Sequence, residues 1–159
     1  MSDQENTLFL LGTSHQVASL NDRETIGLPN DSIQKFYLGM EKLTGLEECL
    51  VLNTCNRTEI YGAGDDSFKI EYLMEYLADF RDLELEFIQK KTYRRTGAEV
   101  VRHLFEVASG IDSQMVGETE ILGQLKKAYD DASERNSTGK VLNRLFQKSF
   151  QAAKWARTN

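Results

Sequence analysis

The chain has 159 residues, 40% of them hydrophobic and 28% charged, with a net charge of -6. That length suits one domain with a real core, and the acidic balance argues against a generic polyanion binder without excluding a local basic face. Two cysteines six positions apart, a polar acidic start at residues 1–6 and no apolar run near ~18 residues read against a disulfide framework, a leader peptide and a membrane span, and place the chain in a reducing cytoplasm.

In chain order, Leu8-Phe9-Leu10-Leu11 predicts a buried strand ending at Gly12-Thr13-Ser14-His15, then a polar connection with Arg23, Glu24 and Pro29. A helix is expected from about residues 30–32, with Ile33, Phe36, Tyr37, Met40 and Leu43 at helical spacing and Gly45 as its stop. Strands follow at about residues 49–52 and 58–61. Ile70, Leu73, Met74 and Leu77 mark a second helix after Asp65-Asp66-Ser67, and residues 87 to about 94 are compatible with a fourth strand. The order β-α-β-β-α-β predicts an α+β, ferredoxin-like sandwich.

The remainder reads as C-terminal helices. Thr96-Gly97-Ala98-Glu99 fits a capping box, before an apolar stripe of Val100, Leu104, Val107 and Ala108. A further helix carries Ile121, Leu122, Leu125, Ala128 and Tyr129, and the last carries Leu142, Leu145, Phe146 and Phe150. No internal repeat or low-complexity linker divides the chain, so residues 1–159 are expected to form a single domain.

The chemistry centres on Asn53-Thr54-Cys55-Asn56-Arg57-Thr58-Glu59, a polar loop between two predicted strands. Cations and hydrogen-bond donors favour a thiolate, and Arg57, Asn56, Thr54 and Thr58 supply such groups around Cys55. Cys49, by contrast, sits in an apolar run. A lone cysteine needs a partner found in space, and the two histidines are the candidates. His103 lies on the apolar stripe of its helix, where a satisfied core histidine is the plain reading and a cleft residue the sharper one. His15 follows a strand end, with either role open.

Other features carry two readings each. The connection Ile111-Asp112-Ser113-Gln114-Met115-Val116-Gly117-Glu118-Thr119-Glu120 suits helix capping or a substrate-binding turn. Tyr61-Gly62-Ala63-Gly64-Asp65-Asp66-Ser67 imitates a dinucleotide fingerprint, but Ser67 replaces the third glycine and Asp65 and Asp66 would repel a pyrophosphate. No paired-cysteine metal spacing occurs. Lys140, Arg144 and Lys148, spaced by four, form either a phosphate-binding stripe or a solvated helix face, and Lys90, Lys91, Arg94 and Arg95 share that ambiguity.

Gly12-Thr13-Ser14-His15-Gln16-Val17-Ala18 and Leu52-Asn53-Thr54-Cys55-Asn56-Arg57-Thr58-Glu59-Ile60-Tyr61 closely resemble the start of glutamyl-tRNA reductase. His103-Leu104-Phe105-Glu106-Val107-Ala108-Ser109-Gly110-Ile111-Asp112-Ser113, Gly117-Glu118, Ile121-Leu122-Gly123-Gln124 and Leu142-Asn143-Arg144-Leu145-Phe146-Gln147-Lys148 match as well, in the family's order. The resemblance covers the family's N-terminal catalytic domain. It implies that NADPH-binding and dimerisation domains lie outside this chain, so no cofactor is expected here and NADPH serves the full-length enzyme.

The resemblance also implies roles. Cys55 would attack glutamyl-tRNA and form a glutamyl thioester, reduced in the full enzyme to glutamate-1-semialdehyde in tetrapyrrole synthesis. His103 would be the polar partner near the thiol. Arg57 would pair with a substrate carboxylate, and Thr54, Asn56, Ser113, Glu118, Thr119, Glu120 and Gln124 would line the glutamate pocket. Expected partners are glutamyl-tRNA, the following enzyme glutamate-1-semialdehyde aminomutase, and a second copy in the full-length family. The sequence departs from the family at Asn53 (usually Ser), at Ser19 (usually Pro), and at Glu118-Thr119-Glu120 (commonly Glu-Pro-Gln). A rival from another class is a tRNA- or protein-binding module with a vestigial thiol site.

Overall fold

The computed structural model describes residues 7–110 and 120–158. Among these, four strands form one antiparallel sheet: β1 (Thr7–Ser14), β2 (Leu46–Asn53), β3 (Arg57–Gly64) and β4 (Tyr93–Thr96), in the order β2-β3-β1-β4. Between β1 and β2 run α1 (Leu20–Ile26), a 3-10 turn (Asn30–Ser32) and α2 (Ile33–Met40). Between β3 and β4 run α3 (Ile70–Arg81) and α4 (Leu85–Lys91), and α5 (Ala98–Ser109), α6 (Ile121–Glu134) and α7 (Lys140–Thr158) come after β4. The chain is therefore a mixed α/β fold around a four-stranded antiparallel sheet, as expected at that level.

Both faces of the sheet are covered. On one, Phe9 stacks on Phe68 at 4.8 Å, and Arg94 of β4 reaches Glu71 and Met74 of α3. On the other, Tyr61 meets Phe146 of α7 edge-on at 5.3 Å, and His103 of α5 reaches down to β3. Double coverage explains why all eight residues of β3 are buried, without the alternation of a one-sided sheet. The outer edge of β2 is closed too: the Cys49 N–H donates to the Ser137 carbonyl and the Val51 N–H to the Tyr37 hydroxyl.

The helical stripes predicted for α2, α3, α5, α6 and α7 all face the core. Three local expectations are corrected. The polar connection after β1 contains α1, capped by Ser19 through the Asp22 N–H and anchored by Ile26 and a buried Arg23 that donates to the Ala18 carbonyl. Its apolar content is too small for periodicity to show.

Residues Leu85–Lys91 are helical rather than extended, and the fourth strand starts at Tyr93. Leu85, Phe87 and Ile88 pack on the core from a short helix, a spacing that imitates strand alternation. The capping box does not form, because the ladder with Phe9 claims Thr96 and Gly97 takes the N-cap at φ 57°.

Glu48 closes the start of α7 from β2. Its carboxylate accepts the backbone N–H groups of Gly139 (2.8 Å), Val141 (3.1 Å) and Leu142 (2.8 Å). A negative charge on these unpaired donors satisfies them and opposes the helix dipole. Among the described residues no helix is long and apolar enough to cross a membrane.

Candidate active site

The β2–β3 hairpin holds the thiol. The Thr54 N–H donates to the Arg57 carbonyl at 2.8 Å, leaving Cys55 and Asn56 at the tip. The Thr54 hydroxyl accepts from the N–H groups of Asn56 (3.2 Å) and Arg57 (3.1 Å), a local side-chain bond that fixes the turn. Asn53 pins the hairpin base. Its amide oxygen accepts from the Leu28 N–H and the Thr58 hydroxyl, and its amide nitrogen donates to the Leu28 carbonyl.

Cys55 is thus an exposed thiol on a braced turn. Cys49 is buried in β2, and burial together with the nearby Glu41 carboxylate pushes its thiol up to about 12. The two cysteines therefore differ in kind, as their sequence surroundings suggested.

Below the tip lies a charged hub. Glu59, fully buried, receives the Arg57 guanidinium (3.1 Å) and the Tyr61 (2.7 Å) and Tyr93 (2.5 Å) hydroxyls, and it lies 2.5 Å from His103 Nε2. The register makes the hub possible, since Gly12 of β1 stands between Glu59 and Tyr93 as the partner of both. Burial alone would raise the Glu59 carboxyl, but the bond and charge of His103, the Arg57 charge and the Tyr93 bond outweigh it and hold the group down at about 2. Burial and the Glu59 charge push both tyrosines well above their ordinary range, so they remain hydrogen-bond donors.

Of the predicted residues, Thr54, Asn56, Arg57 and Cys55 are brought together. His103 joins them through Glu59; among the described residues it hydrogen-bonds Glu59 and not Cys55. Its Nε2 is satisfied, as the plain reading required, but inside a charged hub rather than an apolar core. Gln124 lines a cleft with Leu52 and Asn53 at the hairpin base. Glu120 is exposed at the N-cap of α6 and makes no side-chain cap bond.

Ser113, Glu118 and Thr119 lie outside the described residues. Both ring nitrogens of His15 are buried without a hydrogen-bond partner among the described residues.

Sequence reasoning missed Glu59. The sequence signal was partial: in a strand, Arg57, Glu59 and Tyr61 alternate onto one face, but Tyr93 and His103 join them only across the fold.

The remaining alternatives resolve separately. Added Cβ atoms at Gly62 and Gly64 would fall 2.4 Å from Phe9 and 2.6 Å from Phe68, so these glycines serve packing. Lys90, Lys91 and Arg94 are each ion-paired, with Glu86, Asp22 and Glu71. Lys140, Arg144 and Lys148 are exposed along a groove floored by Leu8, Val101, Phe105 and Leu145, with no ion pair among the described residues. The described residues hold no group of three or more His, Cys, Asp or Glu side chains suited to a metal.

Comparison with known proteins finds similarity along nearly the whole chain. The family model for the N-terminal domain of glutamyl-tRNA(Glu) reductase matches residues 11–159. A glutamyl-tRNA reductase of Neisseria meningitidis serogroup B is 41% identical over 152 residues, covering 96% of this chain and 36% of the relative. One from Marinobacter nauticus is 38% identical over 151 residues, covering 95% of this chain and 35% of the relative. The solved glutamyl-tRNA reductase from Methanopyrus kandleri superposes with a TM-score of 0.74 at 33% identity, covering 95% of this chain and 34% of that one. The chain thus spans about a third of the length of these relatives.

Proposed function

This chain belongs to the family of glutamyl-tRNA reductase N-terminal domains, and we propose that it performs the acyl-transfer half of that enzyme's reaction. The observation that carries the reading is an exposed Cys55 on a turn braced by Thr54 and Asn53, two residues from the Arg57–Glu59–His103 hub.

The Cys55 sulfur attacks the acyl carbon that joins glutamate to the tRNA ribose. The C–S bond forms, the C–O bond breaks, and the ribose oxygen leaves with the electron pair. The thiol proton passes to His103 and from there to that oxygen, so a thiol and an ester become a thioester and an alcohol. Arg57 is the cation for the glutamate carboxylate. Thr54, Asn56 and Gln124, with Ser113, Glu118, Thr119 and Glu120, are assigned to the glutamate pocket.

A nicotinamide dinucleotide does not fit the glycine-bearing segment 61–67, where the strand packs against Phe9 and Phe68. No reductive step is derived for this chain. NADPH-dependent reduction to glutamate-1-semialdehyde, and with it the tetrapyrrole pathway, is assigned to the full-length enzyme. We also read the core as a ferredoxin-like βαββαβ sandwich; the strand order β2-β3-β1-β4 supports it.

The test is to mix the chain with glutamyl-tRNA and trap the acyl-enzyme. A thioester on Cys55, absent in Cys55→Ser, is expected; deacylation undiminished in that variant defeats the reading. Lys140, Arg144 and Lys148, exposed along the α7 groove, favour a second reading, a binding module alone. It predicts tRNA binding that is lost when Lys140, Arg144 and Lys148 are neutralised, with no acylation of Cys55.

A further inference from the structure

We infer that Glu59 is a positioning residue of this site: its carboxylate fixes the His103 imidazole as the Nε2–H tautomer and leaves Nδ1 as the basic nitrogen. The inference rests on the acyl-transfer reading for its purpose, but its geometry stands alone. An ionised carboxylate only accepts hydrogen bonds. Glu59 is surrounded by donors: the Arg57 guanidinium and the Tyr93 hydroxyl at Oε2, and the Tyr61 hydroxyl at Oε1. His103 Nε2 lies 2.5 Å from the same Oε2, and so must carry a proton. Among the described residues Nδ1 has no hydrogen bond, and the side chain is 13% exposed.

A histidine serving only to fill a core is satisfied by one neutral acceptor. Here the fold instead buries an anion with its own Arg57 counter-ion, and Gly12 clears the space in which Glu59 and Tyr93 meet. That arrangement favours the imidazolium formed when Nδ1 takes a proton. In the proposed acyl transfer, Nδ1 receives the Cys55 proton and returns it to the departing ribose oxygen. The carboxylate keeps its charge throughout.

The test uses the chain with 15N-labelled histidine. Only His15 and His103 contribute signals, and His103→Gln assigns them. In the neutral ring, the His103 spectrum is expected to show a protonated Nε2 and an unprotonated Nδ1. The opposite tautomer overturns the inference, and this measurement needs no variant at Glu59.

In single-turnover acylation at saturating glutamyl-tRNA, Glu59→Gln is expected to slow the step by roughly 10- to 100-fold. The double variant with His103→Gln should be no slower than His103→Gln alone, because Glu59 acts through that ring. A wild-type rate in Glu59→Gln, or fully additive losses, overturns it. Absence of any acylation in the unmodified chain defeats the acyl-transfer reading instead, while the tautomer still decides the role of Glu59.

Discussion

A methyl group added at Gly12 would sit 2.8 Å from Glu59 Cγ, 3.1 Å from the Thr58 carbonyl oxygen and 3.1 Å from Tyr93 Cε1. None of these neighbours can yield freely, since all are buried. Gly12→Ala should therefore cost about 1–3 kcal/mol, measured by urea unfolding, and should disturb the hub that it opens. Glu59 itself makes stability depend on pH. Its carboxyl falls from 4.5 to about 2 on folding, so its ionisation stabilises the fold above the higher value and that contribution disappears as pH falls through the lower. The stability gap between wild type and Glu59→Gln should narrow on acidification from about pH 5 toward pH 2. A gap that stays level over that range would show that the charge of Glu59 does not matter.

The elements differ in how openly the sequence declares them. Helices α2, α3, α5, α6 and α7 carry enough apolar residues to reveal their period, and the structure buries those faces. Helices α1 and α4, seven residues each, do not. They are held by a buried Arg23, a Ser19 cap and a few core contacts, which are choices of tertiary environment rather than of periodicity. The start of α7 is similar, because its cap comes from Glu48, 91 residues upstream of Gly139. Glu48→Ala removes the partner of three backbone N–H groups, and a loss of about 2 kcal/mol is expected. Thermal unfolding should report it as a fall in Tm of roughly 4–8 °C.

At the scale of the molecule, covering both faces of the sheet separates the two thiols. Cys55 stands at an exposed tip, whereas Cys49 lies inside the sandwich with its thiol pushed up to about 12. Iodoacetamide at neutral pH should label one thiol in the native chain, none in Cys55→Ser, and both in the wild-type chain in urea. Rapid native labelling of Cys49 would contradict the packing.

The Cys55 loop, the helical stripes and the mixed α/β character were legible from the sequence alone, because they depend on local chemistry and on period. Glu59 as the centre of the site, Gly12 as the space that admits it, and Glu48 as the cap of α7 were not. The first two depend on strand register and the third on the packing of α7 against β2, which bring together residues distant in the chain. Only the folded sheet decides which side chains share a face and which charges must be answered there.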